Sequence, residues 1–242
     1  MKKYKSVVGK FNGEKFKEDG EYVYPTEEYK NYRELVKLEY QLEKASIPNY
    51  IIEYEIENDY IGEKSKSNVK KLKKYVEDFE ETFSDCVLYV WGEMGTQKTT
   101  ALHWVGKELS KKDVKVRFTT MKNLVDLLVN ESFVEGSVEK IQELRNCDCL
   151  IIDRAFDSDQ VTMYKSGYQL PYLDSFLRNR IENDMKATVI ISNNHYNRIS
   201  ENKFNADIED LIRRKVEPYK LVLEFKDHYS QVNDFNPQDL WA

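Results

Sequence analysis

The residues with the clearest chemistry lie in one short run, Leu88-Tyr-Val-Trp-Gly-Glu-Met-Gly-Thr-Gln-Lys-Thr-Thr100. An apolar stretch enters a glycine turn, then Lys-Thr, then the amphipathic segment Ala101–Leu109. A strand, a glycine loop, Lys-Thr and a helix in that order cradle phosphates. Backbone N–H groups wrap the phosphate oxygens, the helix N-terminus faces the negative charge, the lysine reaches the β- and γ-phosphates, and the next hydroxyl holds Mg²⁺. The spacing therefore assigns Gly92, Glu93, Met94, Gly95, Thr96, Gln97, Lys98, Thr99 and Thr100 to a nucleotide-phosphate site, with Thr99 a magnesium ligand. One position departs from the pattern. Gln97 stands where a glycine usually precedes the lysine, which puts a side chain where backbone must approach phosphate.

Further chemistry sits at the ends of later apolar stretches. Cys149-Leu-Ile-Ile-Asp153 ends in a carboxylate. At the tip of a buried strand beside a phosphate loop, that carboxylate completes a Mg²⁺ shell; alone, it can equally cap a turn. Arg154 follows, and a guanidinium cannot accept a proton at neutral pH, so it is no general base. Asp157 is the nearest carboxylate downstream and can substitute if the loop folds back; otherwise hydrolysis is slow. Thr188-Val-Ile-Ile-Ser192 runs into Asn193-Asn194. Asn193 can polarise an attacking water or contact a γ-phosphate, or it can close an Asx turn. Arg213 and Arg214 end a short helical stretch. Cations there suit the helix dipole, and an arginine there can also reach the γ-phosphate of a neighbouring subunit.

Positioning such residues requires alternating strands and helices. Strands are expected at 86–91, 114–119, 149–153, 188–192 and 221–225, and helices at 98–110, 121–130, 138–145, 168–183 and 207–215. The strands are short, apolar and β-branched, as in a parallel sheet covered on both faces. The expected fold is α/β: a P-loop NTPase with a parallel sheet flanked by helices, spanning residues 63–242, preceded by a small, mainly helical region at 1–62. Within that region, residues 1–25 read as loosely structured. A helix starts after the N-cap Thr26, with Tyr32, Leu35, Leu38 and Leu42 at helical spacing, and ends at Ser46-Ile-Pro48. Residues 49–62 read as irregular or partly extended. A second helix over 65–83 turns Val69, Leu72, Tyr75, Val76 and Phe79 inward and leaves Lys70, Lys71, Lys73 and Lys74 as a solvated face or a phosphate contact.

The 242 residues are 40% hydrophobic and 33% charged with a formal charge of −6. That composition fits a soluble globular chain and argues against a constitutive nucleic-acid coat, while allowing a local, nucleotide-gated contact with single-stranded DNA. The loop around Lys165, residues 162–168, interleaves aromatics with a lysine and is one such contact; plain loop chemistry is the other account. No apolar run reaches membrane-spanning length, and none follows the basic Met1–Lys5 as in a secretory signal. Cys86, Cys147 and Cys149 form no zinc or disulfide framework, which fits a reducing cytoplasm and core packing. The tail 227–242 has no assigned role beyond that of a docking peptide.

Together these residues resemble the DnaC/DnaI/IstB group of AAA+ ATPases: bacterial and phage helicase loaders and transposition-helper ATPases. The resemblance runs from about Leu42 to Phe225. Ala45-Ser-Ile-Pro48 resembles the group's A-x-I-P segment ahead of the ATPase region, and residues 76–81 precede the first strand as in the group. Residues 92–100 match the Walker A loop except at Gln97, and residues 147–153 match Walker B with Arg154 replacing its following acid. Residues 114–124 resemble the second strand and helix, and 177–181 with 187–193 match the helix and sensor strand, placing the sensor role on Asn193. Residues 210–216 resemble the arginine-finger region, with Arg214 in the better register and Arg213 the alternative. The resemblance implies an oligomer binding ATP and Mg²⁺ between subunits. It also implies loading of a replicative helicase onto single-stranded DNA, with the N-terminal region touching the helicase. Two other readings are a transposase-helper ATPase and a degenerate nucleotide-binding adaptor with little turnover. The stretch after Asn193 is too short for a large helical lid, which suits this group.

Overall fold

A computed structural model describes residues 8–19, 22–60, 62–130, 135–157, 167, 169–202 and 204–226. The chain opens with an antiparallel hairpin, β1 (Phe16–Asp19) and β2 (Tyr22–Pro25). Residues 16–19 and 22–25 are therefore strand rather than loose chain. Aromatic rings explain the difference: Phe11 and Phe16 pack on Tyr29 at 5.2 and 5.6 Å, so the helix that follows supplies the apolar surface a lone hairpin lacks. That helix, α1 (Glu27–Ala45), starts as the sequence predicts. Thr26 Oγ1 accepts the Tyr29 N–H and donates to the Glu14 carbonyl, and Glu27 and Glu28 occupy the first turn. Leu38, Leu42 and Ala45 are buried, but Leu35 faces solvent, because only the C-terminal half of α1 reaches the core.

Residues 49–60 are irregular in part, as expected, but helical where they are regular rather than extended. They form a 3₁₀ turn, Asn49–Ile52, and a single helical turn, α2 (Ile56–Asp59). Ile51, Ile56 and Tyr60 are buried in one core cluster, and the compact turns bring together three apolar anchors that extended backbone would spread apart. Next comes α3 (Lys66–Glu77), continued by a π-helical turn at Phe79–Phe83. Its inward face is the predicted one, with Lys70, Lys71 and Lys74 exposed.

The second part of the chain alternates as expected: β3 (Val87–Gly92), α4 (Lys98–Lys111), β4 (Val116–Thr120), α5 (Met121–Val129), α6 (Ser137–Asn146), β5 (Cys149–Asp153), α7 (Leu170–Arg178) with a π-helical end at Asn179–Asn183, β6 (Ala187–Ser192), α8 (Ala206–Val216) and β7 (Val222–Phe225). The five strands β3–β7 form a parallel sheet in the order β4-β5-β6-β3-β7. Alternation along the strands splits the core in two. Leu88, Val90, Ile151, Val189 and Ile191 pack with α1, α3 and α4 on one face, and Tyr89, Leu150, Ile152 and Ile190 pack with α5–α8 on the other.

Two glycines set close approaches. A Cβ on Gly92 would lie 2.1 Å from the Phe225 carbonyl oxygen, so only glycine lets β3 end against β7. A Cβ on Gly106, inside α4, would lie 2.4 Å from Ile47 Cδ1, so this glycine seats the segment after α1 on α4. Lys107 fastens the same contact. Its fully buried ammonium donates to the Tyr54 carbonyl (2.6 Å) and pairs with Glu55 (3.0 Å) and Glu108 (3.2 Å). The cysteines are free thiols, with Cys147 and Cys149 buried and Cys86 half-buried. Among the described residues no helix is long and apolar enough to cross a membrane.

Candidate functional site

Parallel strands bring their C-terminal tips to one edge of a sheet, where a crevice opens between diverging helices. Here β3, β5 and β6 lie side by side and end in Gly92, Asp153 and Ser192-Asn193. The loop 93–97 rises from β3 and turns into α4. Gly95 (φ 79°) and Gln97 (φ 61°) both take left-handed backbone conformations. Gln97 thus adopts the geometry that glycine takes without penalty, at a cost of about 1–2 kcal/mol. No side chain caps α4, so the amides of its first turn keep free donors at the mouth of the crevice.

The side chains converge as the spacing predicts. Lys98 Nζ donates to the carbonyls of Gly92 and Glu93, both at 2.7 Å, and lies 3.3 Å from both Thr96 Oγ1 and Asn193 Oδ1. Burial pushes this ammonium down to about 8, against the pull of Asp153, Asp157 and Glu93, which favour its charged form. Thr99 Oγ1 donates to Asp153 Oδ2 at 3.0 Å, across the sheet from α4 to β5. A hydroxyl and a carboxylate in contact are hard oxygen donors of the kind that, with phosphate oxygens and water, complete a Mg²⁺ shell. Uncapped amides, a desolvated lysine and this oxygen pair fit a triphosphate with its magnesium. The cleft they line has a volume of about 910 Å³, within the roughly 300–1,000 Å³ of small-molecule sites.

The loop after β5 folds back, as the Asp157 reading requires. Asp157 is buried. Its Oδ1 accepts the Asn193 N–H (3.2 Å) and its Oδ2 accepts Asn193 Nδ2 (2.9 Å). Its carboxylate therefore orients the Asn193 amide, whose oxygen turns to Lys98. Arg154 is exposed and lines the cleft beside Asp153. Thr100 is in the first turn of α4 but does not line the cleft, and Gly92 and Glu93 take part through their carbonyls. Arg213 and Arg214 also lie outside the cleft, on exposed positions of α8. Arg214 pairs with Asp210 (2.9 Å) and Glu182 (3.4 Å), and Arg213 pairs with Asp210. The loop around Lys165 and the tail 227–242 lie outside the described residues, apart from Gly167.

Sequence reasoning missed one supporting residue. Arg180 is fully buried and donates to the carbonyls of Leu144 (3.1 Å), Arg145 (2.8 Å) and Ala187 (2.7 Å) and to Thr188 Oγ1 (3.1 Å). It clamps the end of α6 to the start of β6, the strand that carries Asn193. An arginine within a helical stretch gives no sign in sequence that it points inward.

No protein-family model matches the sequence, and no curated protein sequence matches it. Solved structures do. A crystal structure of DnaI superposes with a TM-score of 0.59 at 16% identity, over 76% of this chain and 97% of that one. Domain III of the Thermotoga maritima replication initiation protein DnaA superposes with a TM-score of 0.55 at 20% identity, over 72% and 67%. The replication initiator DnaA bound to AMPPCP and single-stranded DNA gives a TM-score of 0.57 at 15% identity, over 74% of this chain and 50% of that one. This chain thus spans half the length of that DnaA structure. These superpositions show the fold: the chain folds like DnaI and like domain III of DnaA.

Proposed function

We propose that this protein is an ATP-binding AAA+ protein of DNA replication that loads a replicative helicase onto single-stranded DNA, with ATP and Mg²⁺ held between subunits of a homo-oligomer. The observation that carries the reading is the convergence of Lys98, Thr99, Asp153 and Asn193 at the uncapped start of α4. In that cleft the 95–98 loop and α4 amides hold phosphate oxygens, Lys98 holds the β- and γ-phosphates, and Thr99 and Asp153 hold the metal. Bound magnesium neutralises phosphate charge. Asn193 contacts the terminal phosphate or the water beside it. Arg214 serves a neighbouring subunit's site, since it stands outside the cleft of its own chain. Residues 1–62 form the partner-binding region and 63–242 the ATPase unit, working in a reducing cytoplasm. DnaI and DnaA, the replication proteins it is similar to in fold, support the assignment.

One observation favours slow turnover. Arg154 occupies the place of the water-activating acid, and Asp157, the replacement, is already bonded to Asn193. The degenerate-adaptor alternative draws its support from the same pair. Calorimetric titration with Mg-ATP tests the nucleotide reading. The wild type binds, and Lys98→Ala weakens binding at least tenfold, about 1.4 kcal/mol; equal binding by both would overturn it. Phosphate release measured alongside separates a slow ATPase from an adaptor. A pull-down from host extract with and without ATP tests the partner. ATP-dependent recovery of a replicative hexamer supports the loader reading, and recovery of a transposase replaces it.

A further inference from the structure

The loop after β5 carries two strained residues at the edge of the cleft. Arg154 (φ 52°) and Phe156 (φ 59°) are both left-handed, and neither is glycine. Such conformations cost on the order of 1–3 kcal/mol each and persist where surrounding contacts over-determine them. Here they do. The Arg154 N–H donates to Asp153 Oδ1 (2.8 Å), the Ala155 N–H donates to the Ile191 carbonyl (2.8 Å), and the Phe156 carbonyl accepts from Asn202 Nδ2 (3.0 Å). Ala155, Phe156 and Asp157 are all buried. Among residues 154–157, three are buried and Arg154 is exposed, lining the cleft.

The Arg154 guanidinium makes no hydrogen bond or ion pair with a described residue. Arg117, Arg178, Arg180, Arg213 and Arg214 are engaged by carboxylates or carbonyls; Arg33, Arg145 and Arg198 share the lack of a side-chain partner among the described residues, but none of them lines the cleft. Lys98 and Arg154 are the cations among the described residues lining the cleft, and Lys98 already holds two carbonyls. Arg154 follows directly on Asp153, whose carboxylate touches Thr99, and Asn193 on the next strand touches Lys98. This is the end of the site where the outermost phosphate of a nucleotide lies, since the lysine of such a loop reaches the β- and γ-phosphates. A planar fork of donors matches a terminal phosphate, which offers three oxygens and more charge than a bridging one.

We propose that Arg154 is a specificity-determining residue that binds the γ-phosphate from within the same chain, so that the cleft favours nucleoside triphosphate over diphosphate. This rests on the nucleotide reading above. It assigns the guanidinium a positive role, retention of the triphosphate, beyond the loss of an acid.

The test titrates the full chain with Mg²⁺ and either ADP or the non-hydrolysable triphosphate AMPPCP. It compares the wild type with Arg154→Ala, Arg154→Lys and Arg154→Gly, the last of which also accommodates the left-handed backbone without strain. The wild type prefers AMPPCP. Arg154→Ala and Arg154→Gly lower AMPPCP affinity at least about tenfold while ADP affinity changes far less, and Arg154→Lys falls between. A preference unchanged in both Arg154→Ala and Arg154→Gly, or equal weakening of both nucleotides, would overturn the assignment while leaving the nucleotide site intact. Failure of the wild type to bind either nucleotide would remove the nucleotide reading and this inference together.

Discussion

A single residue shows how the phosphate loop tolerates an irregular sequence. Gln97 holds φ 61° and ψ 16° at the start of α4, a geometry glycine adopts without a Cβ penalty. Backbone conformation at this position is set by the turn from β3 into α4, so the side chain bears the strain and the loop keeps its shape. Gln97→Gly is expected to stabilise the fold by about 1 kcal/mol, the left-handed penalty less the added freedom of glycine in the unfolded chain. In a thermal melt this raises the midpoint by about 2–4 °C. A lower midpoint would show that the glutamine side chain contributes contacts that outweigh its backbone cost. Asp157 makes a related point. Its acid character was legible in sequence; the two hydrogen bonds it accepts from Asn193 were not.

At the scale of elements, α4 joins the site to the N-terminal region. Its first turn faces the cleft, and its body packs against the end of α1 and the turns of residues 49–60 through Gly106 and Lys107. His103 lies in this contact, 6% exposed, with its ring 4.4 Å from Phe118 and Nδ1 3.5 Å from the Tyr50 hydroxyl. Burial pushes its pKa down from 6.5 to about 4. Between these values the unfolded chain binds a proton that the folded chain refuses, so stability falls as pH drops from about 6.5 to about 4. The loss from this one group is on the order of 2–3 kcal/mol. Urea unfolding at pH 7 and pH 4.5 should show a smaller drop for His103→Gln than for the wild type. Equal drops would place the acid sensitivity elsewhere.

At the scale of the whole molecule, the proposed sharing of nucleotide between subunits turns on α8. Arg214 is exposed on α8 and held by Asp210 and Glu182, outside its own cleft. If it acts on a neighbour's nucleotide, Arg214→Ala abolishes ATP-induced assembly, measured by light scattering with and without ATP. Assembly that survives the substitution would leave Arg214 as a helix-terminal cation, whose exposed ion pairs contribute about 0–1 kcal/mol. The two faces of the sheet divide the remaining work. One binds the N-terminal segment through α4, and the other anchors β6 through Arg180.

The sequence by itself determined the phosphate loop, the strand tips at Asp153 and Asn193, and the alternation of elements in 86–225. Each of these is written in local terms: a glycine turn before Lys-Thr, and short β-branched runs between helical periods. Tertiary structure alone decided the rest. The pairing of β1 with β2 depends on rings from α1, and the turns at 49–60 depend on the core they share with α4. The inward-facing Arg180 depends on carbonyls of α6 and β6, and the fold-back of Asp157 depends on the amide of Asn193 after β6. Local pattern reports how a segment spends its own backbone, but a buried polar group is satisfied by whatever the fold brings beside it, and no window of sequence contains that partner.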